Sequence, residues 1–305
     1  MTGAAIRPRR GLTARGVQEG GVRWFAFACA LLSVGTTFGI IWVLLGESIP
    51  FFRAVSPLSF FGGTEWRPTA EPASFGILPL LTGTLMITIG AGIIAIPLGL
   101  LSAIYLSEYA SPRVRGILKP MLELLAGIPT VVYGYFGLFF VTPMLKPILP
   151  NLESSNALAG AIVVGIMILP LISSLCEDAL AAVPRALREG GYGLGATKME
   201  VTTKIVVPAA LSGIMASFIL ALSRALGETM AVTLAAGSNP QLTLSPEKSI
   251  QTMTAYIVNT AKGDAPAGTL KYTSLFAVGV TLFAFTMIMN LIALRLVKKF
   301  RQVYS

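Results

Sequence analysis

Six stretches of this chain are almost free of polar side chains: Trp24–Leu45, Ile77–Leu106, Leu122–Leu145, Ala157–Leu175, Pro208–Leu234 and Ser274–Val297. About 30 Å of hydrocarbon is crossed by about 20 apolar residues rising ~1.5 Å each in a helix. Each run is therefore predicted to span a membrane. The spans must be helical, because backbone amides find no water in lipid and have to bond within their own segment. The pattern predicts an all-α integral membrane protein: a six-helix transmembrane domain over residues 23–305, preceded by a basic tail over 1–22.

The polar positions between the runs are unevenly charged. Arg7, Arg9, Arg10, Arg15 and Arg23 precede the first run; Arg113, Arg115 and Lys119 follow the second. Arg185, Arg188, Lys198 and Lys204 follow the fourth, and Arg295, Lys298, Lys299 and Arg301 follow the sixth. The remaining loops hold only Arg53, Arg67, Lys146, Lys248, Lys262 and Lys271. Cations on short loops stay in the cytoplasm, so both termini are expected there. Two long loops, 46–76 and 238–273, are expected outside.

Composition agrees. Only 12% of residues are charged against 54% hydrophobic, and the mean hydropathy is +0.76, outside the balance of a soluble domain. The net charge of +9 comes from cations that flank spans, with no basic groove interleaved with aromatics, so nucleic acid is set aside. The first run is too long for a signal h-region of roughly 7–15 residues and reads as a retained anchor. Two cysteines and no histidine leave disulfide frameworks, zinc sites and histidine-based catalysis unsupported.

The loop from Pro184 to Pro208, PRALREGGYGLGATKMEVTTKIVVP, departs from an ordinary connector. Pro184 suits a helix start, and Gly190, Gly191, Gly193 and Gly195 are expected to break that helix in a tight turn. Thr197 and Glu200 stand three apart as a capping box, opening a short helix that leads to Pro208. Gly190, Gly195 and Thr197 also match P-loop spacing, but Ala196 stands where the phosphate-binding lysine is required and no strand precedes the loop. ATP hydrolysis is thus not expected of this chain.

Glu189, Gly195, Ile205 and Pro208 match the spacing of the EAA motif of ABC importer permeases. Gly190 and Gly191 replace the two alanines, and Val207 replaces the leucine. FGILPLLTGTL (75–85), ELLAGIPTVVYGYFGL (123–138), REGGYGLGATKMEVTTKIVVPAALSGI (188–214) and ALSRALGETMAV (221–232) extend the likeness. Together they resemble the PstC family of phosphate-specific permeases, of the type I (MetI-like) kind, from about residue 20 onward. The resemblance implies a coupling helix around Arg188, Glu189, Gly190, Gly191, Gly195, Ala196 and Thr197 that sits in a groove of an ATPase. It further implies phosphate as substrate, a bacterial inner membrane, a homologous PstA-like permease, a PstB-like ATPase dimer that holds ATP and Mg²⁺, and an external PstS-like phosphate-binding protein. No cofactor is expected on this chain itself.

Arg224 and Glu228 lie in an apolar run where charges are expensive. Read as one helix from Pro208 to Gly237, roughly 45 Å long, the run places Arg224 near its centre and Glu228 a turn further out. Gly213, Ser217, Ala221, Arg224 and Glu228 then form one small and polar stripe facing the bundle or a pathway. The alternative is a simple i, i+4 ion pair, although base before acid is the weaker helical order. The resemblance implicates Arg224 and Glu228 in phosphate translocation, and a guanidinium suits an oxyanion. Ser217 shares the stripe. Thr82 and Thr84 are candidates to donate to an entering anion or to bond their own backbone. Glu123 reads as an interfacial, structural carboxylate; Pro129, Gly134 and Gly137 read as kink residues. A sulfate or molybdate permease, a secondary anion carrier, and a membrane scaffold for phosphate sensing remain as rival readings.

Overall fold

In a computed structural model, residues 14–263, 265, 266 and 268–300 are described. Four helices cross the expected hydrocarbon thickness without interruption: α1 (Ala14–Ala54), α3 (Leu78–Ile104), α6 (Ala157–Ala181) and α12 (Leu270–Phe300). Two further spans are bent, which brings the total to six when each bent pair is taken as one. The short α2 (Pro57–Gly62) follows α1. Because α1 starts at Ala14, residues 14–22 of the expected polar tail are helical. The rest of that tail, 1–13, lies outside the described residues.

The expected third span is two helices, not one. α4 (Pro112–Ala126) is capped by Ser111, has Pro112 in its first turn, and ends at Gly127. α5 (Thr130–Phe136) leaves at 90° and runs on through a π-helical turn to Leu145. Gly127 and Pro129 cause the bend, since proline restrains the residue before it away from helical geometry. α4 carries Arg115, Lys119 and Glu123 at i, i+4 spacing on one face, while Ile117, Met121 and Leu124 are exposed on another. That division suits a helix lying in the membrane–water interface.

α3 and α6 form the centre of the bundle. A Cβ on Gly99 would lie 2.6 Å from Ile172, and one on Gly90 2.7 Å from Ala161, so small residues set this close approach. Gly134 and Gly137, expected as kinks, do the same for α5: their missing Cβ atoms would meet Leu234 at 2.9 Å and Ala235 at 2.8 Å.

The first long loop is folded. Two short strands, β1 (Trp66–Arg67) and β2 (Ser74–Phe75), pair antiparallel. They close an aromatic cluster in which Phe51, Phe60, Trp66 and Phe75 pack edge to face, with Tyr256 against Trp66. Tyr256 comes from the second long loop, on α11 (Met253–Lys262). These two loops meet at the α6 end marked by Asn156, whereas the Pro184–Pro208 loop sits at the other end of α6, beside Leu180 and Val183.

Candidate functional site: a helical elbow and a charged cavity

The elbow consists of α7 (Arg185–Gly193) and α8 (Lys198–Val201), the latter continuing through a π-helical turn to Ala209. Helix α7 runs through Gly190 and Gly191, so the expected break does not occur there. Termination is left to Gly195, whose φ of +80° is the left-handed conformation that glycine adopts without strain. The Gly195 amide donates to the Tyr192 carbonyl at 2.9 Å, and the Ala196 amide to the Gly191 carbonyl at 3.1 Å. Those two bonds are a Schellman closure. Gly191 matters for packing instead. A Cβ there would lie 2.7 Å from Ile205 Cδ1 and 3.0 Å from Val201 Cγ2, so its absence lets α7 seat on the helical segment that follows. Around Gly190 there is open space.

The capping box predicted at Thr197 is present. The Thr197 amide donates to Glu200 Oε2 at 3.0 Å, and the Glu200 amide donates to Thr197 Oγ1 at 3.3 Å. The backbone bond from Thr197, then Lys204 at 3.1 Å, hold the Glu200 carboxyl down at about 2. Glu189, Gly190 and Thr197 face solvent, Ala196 is half-buried, and Leu194 is 91% exposed with Tyr192 and Met199 exposed beside it.

Arg188 points the other way. Its guanidinium donates to Glu108 at 2.9 Å and to the carbonyls of Leu180, at 2.8 Å, and Val183. Glu108 lies in the π-helical turn Tyr105–Tyr109 that ends α3. One side chain therefore ties the elbow to the C-terminal ends of both central helices. A glutamate this near the end of an apolar run carries no spacing signal by which sequence reasoning finds this contact.

The fifth span also differs from expectation. α9 (Leu211–Leu226) stops at Gly227, and α10 (Met230–Ala235) begins after it. Gly213, Ser217 and Ala221 do form a small stripe, packed on α6, where a Cβ on Gly213 would lie 2.6 Å from Ala179. Ser217 is buried and its hydroxyl donates to the Gly213 carbonyl at 2.8 Å. Arg224 follows Ala221 in the same helix, whereas Glu228 lies beyond its end, so the two part company. Glu228 is buried in the break, where Oε1 accepts from the Ala231 amide at 3.1 Å and its carbonyl accepts from Thr254 at 2.8 Å. Among the described residues no ion pair joins it to Arg224.

Arg224 instead lines a cavity of ≈ 160 Å³ together with Lys119, Glu123, Ser174 and Glu177. Glu177, almost fully buried, pairs with Arg115 and, at 3.1 Å, with Lys119; Lys119 also reaches Asp178 at 3.5 Å. The cavity borders α6 from Pro170 to Glu177, in the half of that helix nearer the elbow. Glu123, expected as a bystander, faces the same space. Near the other end of the bundle, the Thr84 hydroxyl donates to the Leu80 carbonyl and accepts from the Met253 amide, which uses its only hydrogen. Thr82 is half-buried and makes no side-chain bond among the described residues.

Residues 95–302 match the family described as the binding-protein-dependent transport system inner membrane component. A relative from Mesorhizobium japonicum, a phosphate transport system permease protein PstC, is 36% identical and covers 92% of this chain and 93% of its own. The probable ABC transporter permease protein YqgH of Bacillus subtilis is 35% identical over 88% of each chain. Two solved structures share the fold. A bacterial ABC transporter involved in alginate import aligns with a TM-score of 0.60 at 15% identity, over 94% of this chain and all of that one. The inward-facing MetNI methionine transporter aligns at 0.56 and 18% identity, over 74% of this chain and 95% of its own.

Proposed function

This chain belongs to the family of inner-membrane components of binding-protein-dependent transport systems, and from that premise we infer that it is the permease subunit of an ABC importer for inorganic phosphate. It is a multi-pass membrane protein that moves solute and leaves ATP hydrolysis to a partner. The substrate rests on one observation: relatives named for phosphate transport match 79% and 92% of its length at about one residue in three. The partners that complete the assembly are a homologous permease, a cytoplasmic ATPase pair holding ATP and Mg²⁺, and an external phosphate-binding protein. The distribution of lysine and arginine supports an orientation with both termini in the cytoplasm.

Transport follows alternating access. The exposed Tyr192, Leu194 and Met199 offer the ATPase an apolar knob beside Glu189 and Thr197. When the ATPases close, the elbow moves, and Arg188 passes the displacement to α3 through Glu108 and to α6 through the Leu180 and Val183 carbonyls. The path that opens runs past Arg224, a planar donor suited to an oxyanion. Glu123 and Glu177 share its cavity, with Glu177 held by Arg115 and Lys119.

Reconstitution with the partner subunits in liposomes tests this reading. ATP-dependent uptake of radiolabelled phosphate is expected in the wild type, competed by phosphate in preference to sulfate or molybdate, and reduced at least tenfold in Arg224→Gln. Absence of uptake in the wild type removes the function, and undiminished uptake in the variant removes Arg224 from the path.

A further inference from the structure

At the end of the bundle opposite the elbow, the two long loops enclose a polar cavity of ≈ 860 Å³. Its wall includes Trp66, Arg67, Gln251, Asn259 and Lys271. Roughly 25 Å of α6, at ~1.5 Å per residue, separates this end from the Arg224 cavity, so the two are different sites.

Gln251 is the informative residue. It is only 6% exposed, yet its side-chain amide has no hydrogen-bond partner among the described residues, and the opening it lines is this cavity. The amide is therefore free to bond a ligand or an ordered water that enters the cavity. Its position is rigidly held. The Ile250 amide donates to the Ala236 carbonyl at 3.0 Å, the Met253 amide to Thr84 at 3.0 Å, and the Gln251 carbonyl presses on Gly83, where a Cβ would lie 2.5 Å away. Trp66, in the same wall, also buries its indole N–H without a partner. Its ring is fixed by Tyr256 at 4.8 Å, and the Tyr256 hydroxyl bonds Ser274, one turn from Lys271. Arg67, held at 3.5 Å by Glu65, and Lys271 bring positive charge to the rim.

A firmly held, unpartnered amide behind a cationic rim supplies the elements of an oxyanion site. We propose that this cavity is an antechamber that holds a tetrahedral oxyanion of the phosphate class before it enters the transmembrane path, with Gln251 as the positioned donor and Arg67 and Lys271 as the attracting charges. The choice of phosphate within that class rests on the importer reading above. The cavity is larger than one such ion, so water shares it and the hold is one of capture and release.

Equilibrium dialysis of the full complex in lipid nanodiscs, with the soluble binding protein omitted, tests the site using radiolabelled inorganic phosphate. Saturable binding is expected that unlabelled phosphate competes and chloride at equal ionic strength does not. Arg67→Gln/Lys271→Gln, changed only at the cavity rim, should weaken it about tenfold or more, and Lys271→Arg should restore much of the loss. No saturable binding in the wild type, or undiminished binding in the double variant, overturns the antechamber. So does a double variant that binds phosphate normally and loses only its association with the binding protein, which would make the cavity a protein-docking site. Binding that persists in a complex unable to import phosphate would overturn the importer reading and leave the oxyanion site standing.

Discussion

Arg188, on the elbow, donates to Glu108 at the C-terminal end of α3 across 2.9 Å, with side chains 17% and 6% exposed. The same guanidinium binds two carbonyls at the end of α6, so the pair is a mechanical joint between the elbow and the central helices. Removing one member leaves the other charge largely buried and unpaired. Arg188→Ala should therefore cost about 3 kcal/mol, read as a lower unfolding midpoint, and should leave ATP hydrolysis running without proportionate uptake. Arg188→Lys cannot reproduce three directed bonds from a planar group and should rescue only partly. Tight coupling in Arg188→Ala would show that force passes elsewhere.

The glycines of the elbow differ in what they do, and alanine separates them. Gly190→Ala places its methyl in open space and should stabilise α7 by about 0.5–1 kcal/mol, with uptake retained. Gly191→Ala presses on Ile205 at 2.7 Å and should loosen α7 from α8, seen as faster amide exchange at residues 201–205. Gly195→Ala forces a side chain to a φ of +80° and should cost about 1–2 kcal/mol. Equal effects at the three positions would contradict this division.

Glu200 gives the elbow an acid limit. Its carboxyl is held at about 2 against an ordinary 4.5, because the ionised form accepts from the Thr197 amide and pairs with Lys204. A depressed folded-state value means that the cap contributes fully above about 4.5 and is lost as pH falls from there through about 2. Carbon-13 NMR of the Glu200 carboxyl should show that low midpoint, and Thr197→Ala should raise it. A wild-type midpoint at the ordinary glutamate value would remove the cap from the account.

Glu228 acts on the backbone. Since Oε1 accepts from the Ala231 amide at the start of α10, Glu228→Ala should destabilise the protein by about 1 kcal/mol. Glu228→Gln keeps an acceptor oxygen and should lose less. Thermal unfolding of the two variants decides; equal midpoints would mean that the bond carries no weight.

The linear pattern alone determined a great deal: the helical class, the apolar runs, the Thr197–Glu200 cap, and the elbow as the odd segment out. Each of these rests on neighbours within a few residues, where hydropathy, capping chemistry and motif spacing are legible. The lateral and long-range relations were decided by packing. Arg224 and Glu228 look like partners in a helix that Gly227 and Thr229 in fact interrupt, and Arg224 instead shares a cavity with Glu123 and Glu177, from α4 and α6. Gly134 and Gly137 look like kinks and serve as contact points for α10. Arg188 looks like an outward docking residue and turns inward to Glu108. In every case the deciding contact joins residues tens of positions apart, and helical periodicity carries no information about which face of one helix will meet which face of another.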